Sequence, residues 1–170
     1  DNCPGVVTVA FVSESTTGGP CPEIITRTYS VTDACGNQTL VTQTITINDI
    51  TPPTASSPAT VTVDCIADVP APDVNVITDE ADNCPAAIVV AFVSDVSDGA
   101  TCPETITRTY SVTDGCGNIS LVTQSIVVDD DVFPTASNLG PLTADCIGDV
   151  PAPDINLVTD ESDNCPGAIT

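Results

Sequence analysis

Three features of the sequence predict an all-β chain built from tandem β-sandwich repeats stapled by disulfides. The first is a period. DNCP begins at Asp1, Asp82 and Asp163, ITRTYSVTD at Ile25 and Ile106, CGN at Cys35 and Cys116, and DCI has its cysteine at Cys65 and Cys146, always 81 residues apart. LVTQ (Leu40, Leu121) and VPAPD (Val69, Val150) keep the same step. A fixed offset without insertion marks copies of one unit, and a unit of this size suits a small autonomous domain better than a solenoid turn. The second feature is composition: 41% of residues are apolar and only 3% aromatic, with Val, Ile, Ala and Leu set among many threonines. β-Branched side chains suit a pleated, half-buried surface. The third is nine cysteines, the natural support for a thin aliphatic core.

The joints between copies fall at TPPTAS (from Thr51) and VFPTAS (from Val132), because such proline segments cannot continue a central strand. Residues 1–51 then form the back of one repeat, 52–132 a complete repeat and 133–170 the front of a third. A sequence cut inside its repeats at both ends is expected to belong to a longer array.

Within the complete repeat the strands follow from alternation. From Glu104 to Asp114, Ile106, Tyr110 and Val112 share one face and Thr105, Thr107, Thr109, Ser111 and Thr113 the other. Gly115-Cys116-Gly117-Asn118 is a turn, and a second strand runs from Ile119 to Asp129 with Val122, Ile126 and Val128 on one face, so the pair reads as a hairpin. Ala86–Asp95 is apolar on both faces and is expected to be a central strand. Ala59–Asp64 is expected to be a short first strand, with another over Val74–Thr78. Four or five such strands in one period imply an immunoglobulin-like sandwich.

Charge narrows the function. Twenty-four acidic against two basic side chains give a net charge of −22, which repels phosphate backbones and anionic lipid, so neither nucleic acid nor a bilayer is an expected partner. No apolar run approaches the ~20 residues of a membrane span and no signal peptide opens the sequence, so the expectation is a soluble piece without membrane insertion. Histidine and lysine are absent, removing the commonest general base, the Schiff-base amine and the imidazole ligand; catalysis is not expected.

The complete repeat carries Cys65, Cys84, Cys102 and Cys116. Their spacings do not match zinc ribbons, and disulfides in an oxidising compartment are expected. Cys102 and Cys116 bracket one strand, whose ends lie about 33 Å apart, too far for a bond. Cys84 begins the descending strand and Cys116 ends the ascending one, at one end of the sandwich; Cys65 and Cys102 lie at the other. The expected bridges are Cys84–Cys116, Cys65–Cys102 and Cys3–Cys35, with Cys21, Cys146 and Cys165 paired outside residues 1–170. The sequential alternative, Cys65–Cys84 with Cys102–Cys116, stays open. Lysine's absence also excludes Lys–Asn isopeptide staples.

Carboxylates cluster near these ends. Asp79, Glu80, Asp82 and Asn83 precede Cys84; Asp114 and Asn118 flank Cys116. Asp129, Asp130 and Asp131 close the last strand, where the next repeat brings Asp160, Glu161, Asp163 and Asn164. Oxygen ligands from a linker and a neighbouring loop are what calcium requires; the rival reading is a solvated acidic surface with Asp and Asn in turns. Arg27 and Arg108, the only cations, hold the same repeat position; Arg108 shares the face of Ile106 and Tyr110 and is expected to be structural, paired to a carboxylate or to backbone carbonyls. The threonine face is expected to be ordinary exposed β surface. Asn37-Gln38-Thr39 and Asn118-Ile119-Ser120 match the N-glycosylation triplet.

The combination of DNC, RTYSVTDxCGN and a TQTITI strand running into PPT resembles the HYR-like and Ig-like repeats of bacterial surface proteins, most of all the giant SprB-type gliding-motility adhesins exported by type IX secretion. The resemblance covers the whole sequence and implies an extracellular, cell-surface, non-catalytic role. No catalytic residues come with it. The function expected is a structural or adhesive repeat of a long filament, advancing about 35–45 Å per copy. Its partners would be neighbouring repeats of the same chain and an unidentified surface or glycan. The rivals are a calcium-dependent ligand- or glycan-binding module and a spacer beside an extracellular enzyme.

Overall fold

A computed structural model of the chain describes residues 5–19 and 21–165. The fold is all-β: seven strands, four 3-10 turns and no α-helix among the described residues. Strands β1 (Thr8–Gly18), β2 (Glu23–Thr32) and β3 (Gln38–Ile47) form an antiparallel sheet in that order. Strands β4 (Val61–Val63), β5 (Val89–Ser97), β6 (Glu104–Thr113) and β7 (Ile119–Val128) form a second sheet in the order β4-β7-β6-β5, with β4 parallel to β7.

The hairpin turn explains its own sequence. Oδ1 of Asp114 accepts the backbone N–H groups of Cys116 and Asn118, both at 2.8 Å, while the Asn118 side-chain amide donates to Oδ2 at 2.8 Å. Gly117 stands at φ +88°, the left-handed region that a side chain opposes. The earlier copy repeats the device: Asp33 holds Cys35 and Asn37, and Gly36 sits at φ +87°. Cysteine, glycine and asparagine in CGN are therefore fixed by the turn.

The chain gathers into two compact units that do not follow the 81-residue period: Asp1–Ser56 with Val74–Ala91 and Tyr110–Val122, and Ser57–Asp73 with Phe92–Thr109 and Thr123–Thr170. In the first, Ile77, Tyr110, Val112 and Val122 are buried together against Ala55, Ile88 and Val90, and Thr54 pairs with Ala81 through two backbone hydrogen bonds of 2.8 Å. In the second, Ile106, Ile126 and Val128 are buried against Val61, Val63 and Val69, and the Gln124 amide donates to Ala59 O at 3.0 Å. In both units the sheet is thus covered by the proline-rich segment that precedes it. That layer is mostly irregular, because Pro70 and Pro72 remove backbone donors and fix φ.

Two strand expectations need correction. Val74–Thr78 is not a strand; its start closes a 3-10 turn at Val74–Val76. Ala86–Asp95 is not central: β5 lies at the sheet's edge, and Phe92 and Val93 remain 42% and 50% exposed. An apolar pattern on both faces cannot distinguish burial by two layers from an edge strand with one side open.

Arg108 is 2% exposed, and its guanidinium grips Asp95 through two hydrogen bonds of 2.9 Å. Its repeat equivalent, Arg27, pairs with Glu14 at 2.6 Å but in the open, with both side chains about 40% exposed. Removing one member of a buried pair leaves an uncompensated charge, whereas exposed pairs contribute little. Arg108→Ala is expected to cost about 3 kcal/mol in urea unfolding, since Asp95 keeps partial solvent access. Arg27→Ala should leave the unfolding midpoint in place.

Candidate functional site

The chemistry concentrates in two cysteine clusters, one in each unit. In the first, Cys21 and Cys116 form a disulfide with Cα atoms 5.2 Å apart. Cys84 lines the same cavity as a free thiol, beside Asp49 and Ala86. In the second, Cys65 and Cys165 form a disulfide with Cα atoms 5.3 Å apart. Cys102 lines that cavity as a free thiol, beside Asp64 and Asp130, and its thiol donates to Asp129 Oδ1 at 3.5 Å. Cys35 and Cys146 are exposed free thiols.

The bridges therefore differ from those expected. Cys84–Cys116 and Cys65–Cys102 do not form, and Cys21 and Cys165 find partners inside the chain. Cys3, and with it Cys3–Cys35, lies outside the described residues. The physical reason is local. Cys84 and Cys116 do line one cavity, and Cys65 and Cys102 another. In each case a third cysteine from the adjacent copy reaches the same cavity and takes the bond. Treating a repeat as self-contained hid that competitor.

Small polar contacts seat the sulfurs. Asn83 donates its side-chain amide to Cys84 Sγ and to Asp49 Oδ1, both at 3.3 Å. Asn164, its repeat equivalent, reaches the second bridge, at 3.5 Å from Cys165 Sγ and 3.9 Å from Cys65 Sγ. Asp82 Oδ2 accepts the Cys84 N–H at 3.1 Å. The Cys84 thiol is pushed above its ordinary pKa, chiefly by the Asp49 carboxylate beside it and then by burial.

Most of the proposed calcium ligands have work in turns. Asp79 accepts from Ser56 N at 3.0 Å, and Asp160 from Ser137 N at 3.2 Å. Asp130 accepts from Val132 N at 3.1 Å. Asn118 reaches Asp49 O at 3.2 Å. Glu80, Asp131, Glu161 and Asp163 stand exposed. The grouping that forms is Asp49, Asp82 and Cys84, with ligand-type atoms within 4.8 Å of one another. Asp49 Oδ2 and Asp82 Oδ1 are buried without hydrogen bonds. Sequence reading missed Asp49, although the 81-residue offset carries Asp130 onto it. It missed Asp95 as well, although Glu14 stands at that repeat position, thirteen residues before Arg27 as Asp95 is before Arg108.

Two outcomes follow for solution chemistry. Asp33 and Asp49 are held below the ordinary 3.8, Asp33 chiefly by the Asn37 amide and Asp49 chiefly by the Thr51 N–H. Burial raises Asp114, but hydrogen bonds from Asn118 and Cys116 outweigh it and the net shift is downward. Depressed folded-state values stabilise above the unfolded pKa and lose that stabilisation as pH falls through the folded one. The melting temperature should be level from about pH 7 to 5 and fall below about pH 4; a rise on acidification would contradict it. At pH 8, iodoacetamide should modify Cys84 more slowly than Cys35 or Cys146, because the thiolate is the nucleophile. Mass spectrometry of the labelled peptides reads the order.

No curated protein matches the chain. Residues 53–128 match the family model of the HYR-like domain with 4 cysteines, and they hold Cys65, Cys84, Cys102 and Cys116.

Proposed function

We propose that the chain is a structural, adhesive-type repeat segment of a long extracellular filament at a cell surface, without catalysis of its own. HYR-like domains are an extracellular, adhesion-type repeat family of non-enzymatic kind. The observation that carries the reading is the reach of the bridges. They join cysteines 95 and 100 residues apart, while the sequence repeats every 81. Bonds longer than the period tie consecutive copies together and serve a chain that must bear load along its length. Residues 1–51, 52–132 and 133–170 are then parts of three successive repeats, and the partners are neighbouring repeats and a surface or glycan. Gliding motility and type IX secretion are the finer setting, resting on the resemblance of RTYSVTDxCGN and TQTITI.

Electron micrographs of the intact polypeptide should show beads at about 35–45 Å spacing, the length of a ten-residue strand plus a joint. A compact particle would overturn the filament.

Calcium is the second reading, favoured by the two unpartnered carboxylate oxygens of Asp49 and Asp82. Hard cations take such oxygens, while the Cys84 sulfur is too soft to be a calcium ligand. Calorimetric titration should show calcium binding that Asp82→Asn abolishes. No heat at millimolar calcium, with a melting temperature indifferent to chelator, would remove the reading.

A further inference from the structure

The two cysteine clusters are one site seen twice, each with a different member missing. By the 81-residue offset Cys21 corresponds to Cys102, Cys35 to Cys116, Cys65 to Cys146, and Cys84 to Cys165. The first cluster holds the bridge between the Cys102-type and Cys116-type cysteines, with a Cys84-type thiol beside it. The second holds the bridge between the Cys65-type and Cys84-type cysteines, with a Cys102-type thiol beside it. Each bridge joins one copy to the next copy along the sequence. The thiol missing a partner at the first cluster needs a Cys65-type cysteine; the one at the second needs a Cys116-type.

Neighbouring repeats of an array carry those types, and a second copy of this chain carries them too. Cys146 is of the Cys65 type and Cys35 of the Cys116 type, and both are exposed thiols. The sheet surfaces match as well. Tyr110, Val112 and Ile106 are 0%, 0% and 7% exposed beneath the segment that follows Pro52, whereas their equivalents Tyr29, Val31 and Ile25 are only half-buried. Residues 133–162 repeat that covering segment, down to a Thr135–Ser162 pairing equivalent to Thr54–Ala81.

We propose that each joint of the array is sealed by two disulfides, one from the Cys102-type cysteine of a repeat to the Cys116-type of the next and one from the Cys65-type to the Cys84-type of the next. Two separate copies of this chain can rebuild one such joint, residues 133–162 of one covering the β1–β3 sheet of the other, through Cys102 to Cys35 and Cys146 to Cys84. Each bond forms as two thiols give up two protons and two electrons to a disulfide oxidant, which leaves as two thiols. The rule rests on the repeat and the two bridges present, and stands apart from any adhesive role.

The test uses the chain with its two bridges intact, prepared as equal parts of unlabelled and ¹⁵N-labelled protein and oxidised with glutathione disulfide. A non-reducing gel should show a ladder of multimers. Peptide mapping should find Cys35–Cys102 and Cys84–Cys146 links between labelled and unlabelled chains. Links confined to one isotope, homotypic pairs such as Cys102–Cys102, or a chain that stays monomeric would overturn the rule. As a second measurement, the Cys35→Ser/Cys84→Ser chain mixed with the Cys102→Ser/Cys146→Ser chain should give a disulfide-linked dimer and nothing longer. A ladder from that mixture would equally refute it, and the filament reading would then stand or fall on its own images.

Discussion

A disulfide that spans more residues than the repeat contains must join different copies, and the rest of the structure depends on that constraint. The two bridges close stretches of 95 and 100 residues against a period of 81. Loops of this size stabilise by roughly 4–5 kcal/mol each in the chain-entropy account. That is comparable with the net stability of a small domain. The cores they support are small, three or four buried aliphatic or tyrosine side chains in each unit. Covalent closure and thin cores belong together: a repeat with few aromatics reaches stability by being anchored to its neighbours.

The two copies of ITRTYSVTD separate what a strand contributes from what its cover contributes. The same apolar side chains are buried in β6 (Ile106, Tyr110, Val112) and half-buried in β2 (Ile25, Tyr29, Val31), because only β6 lies beneath a covering segment within the described residues. The arginine pair behaves likewise, burial converting an exposed ion pair into a bidentate one. Burial here is decided by the partner layer, and the alternating pattern states only which face awaits it.

Much of the fold was therefore legible. Period-2 alternation located β6 and β7 within a residue of their ends, and CGN announced a turn whose glycine stands at positive φ. The covering layer was less so: Val74–Val76 has strand-forming residues, yet nearby prolines leave it no ladder to join. The cysteine pairing was half legible. Strand direction placed Cys84 with Cys116 and Cys65 with Cys102, and each pair does share a cavity. What strand direction cannot reveal is a neighbouring copy's cysteine arriving at the same place. The offset that maps Asp130 onto Asp49, and Asp95 onto Glu14, would have found the missing carboxylates had it been applied to every acidic position.

Stretching one chain by its ends gives the most direct test. Load from residue 1 to residue 170 follows the shortest covalent path, which the Cys65–Cys165 bridge shortens by 100 residues. Reduction should therefore lengthen the fully extended molecule by roughly 350 Å, at about 3.3–3.6 Å per residue. The bridges Cys65–Cys102, Cys84–Cys116 and Cys3–Cys35, each within one repeat, would instead yield a lengthening of about 240 Å, and that result would contradict the account.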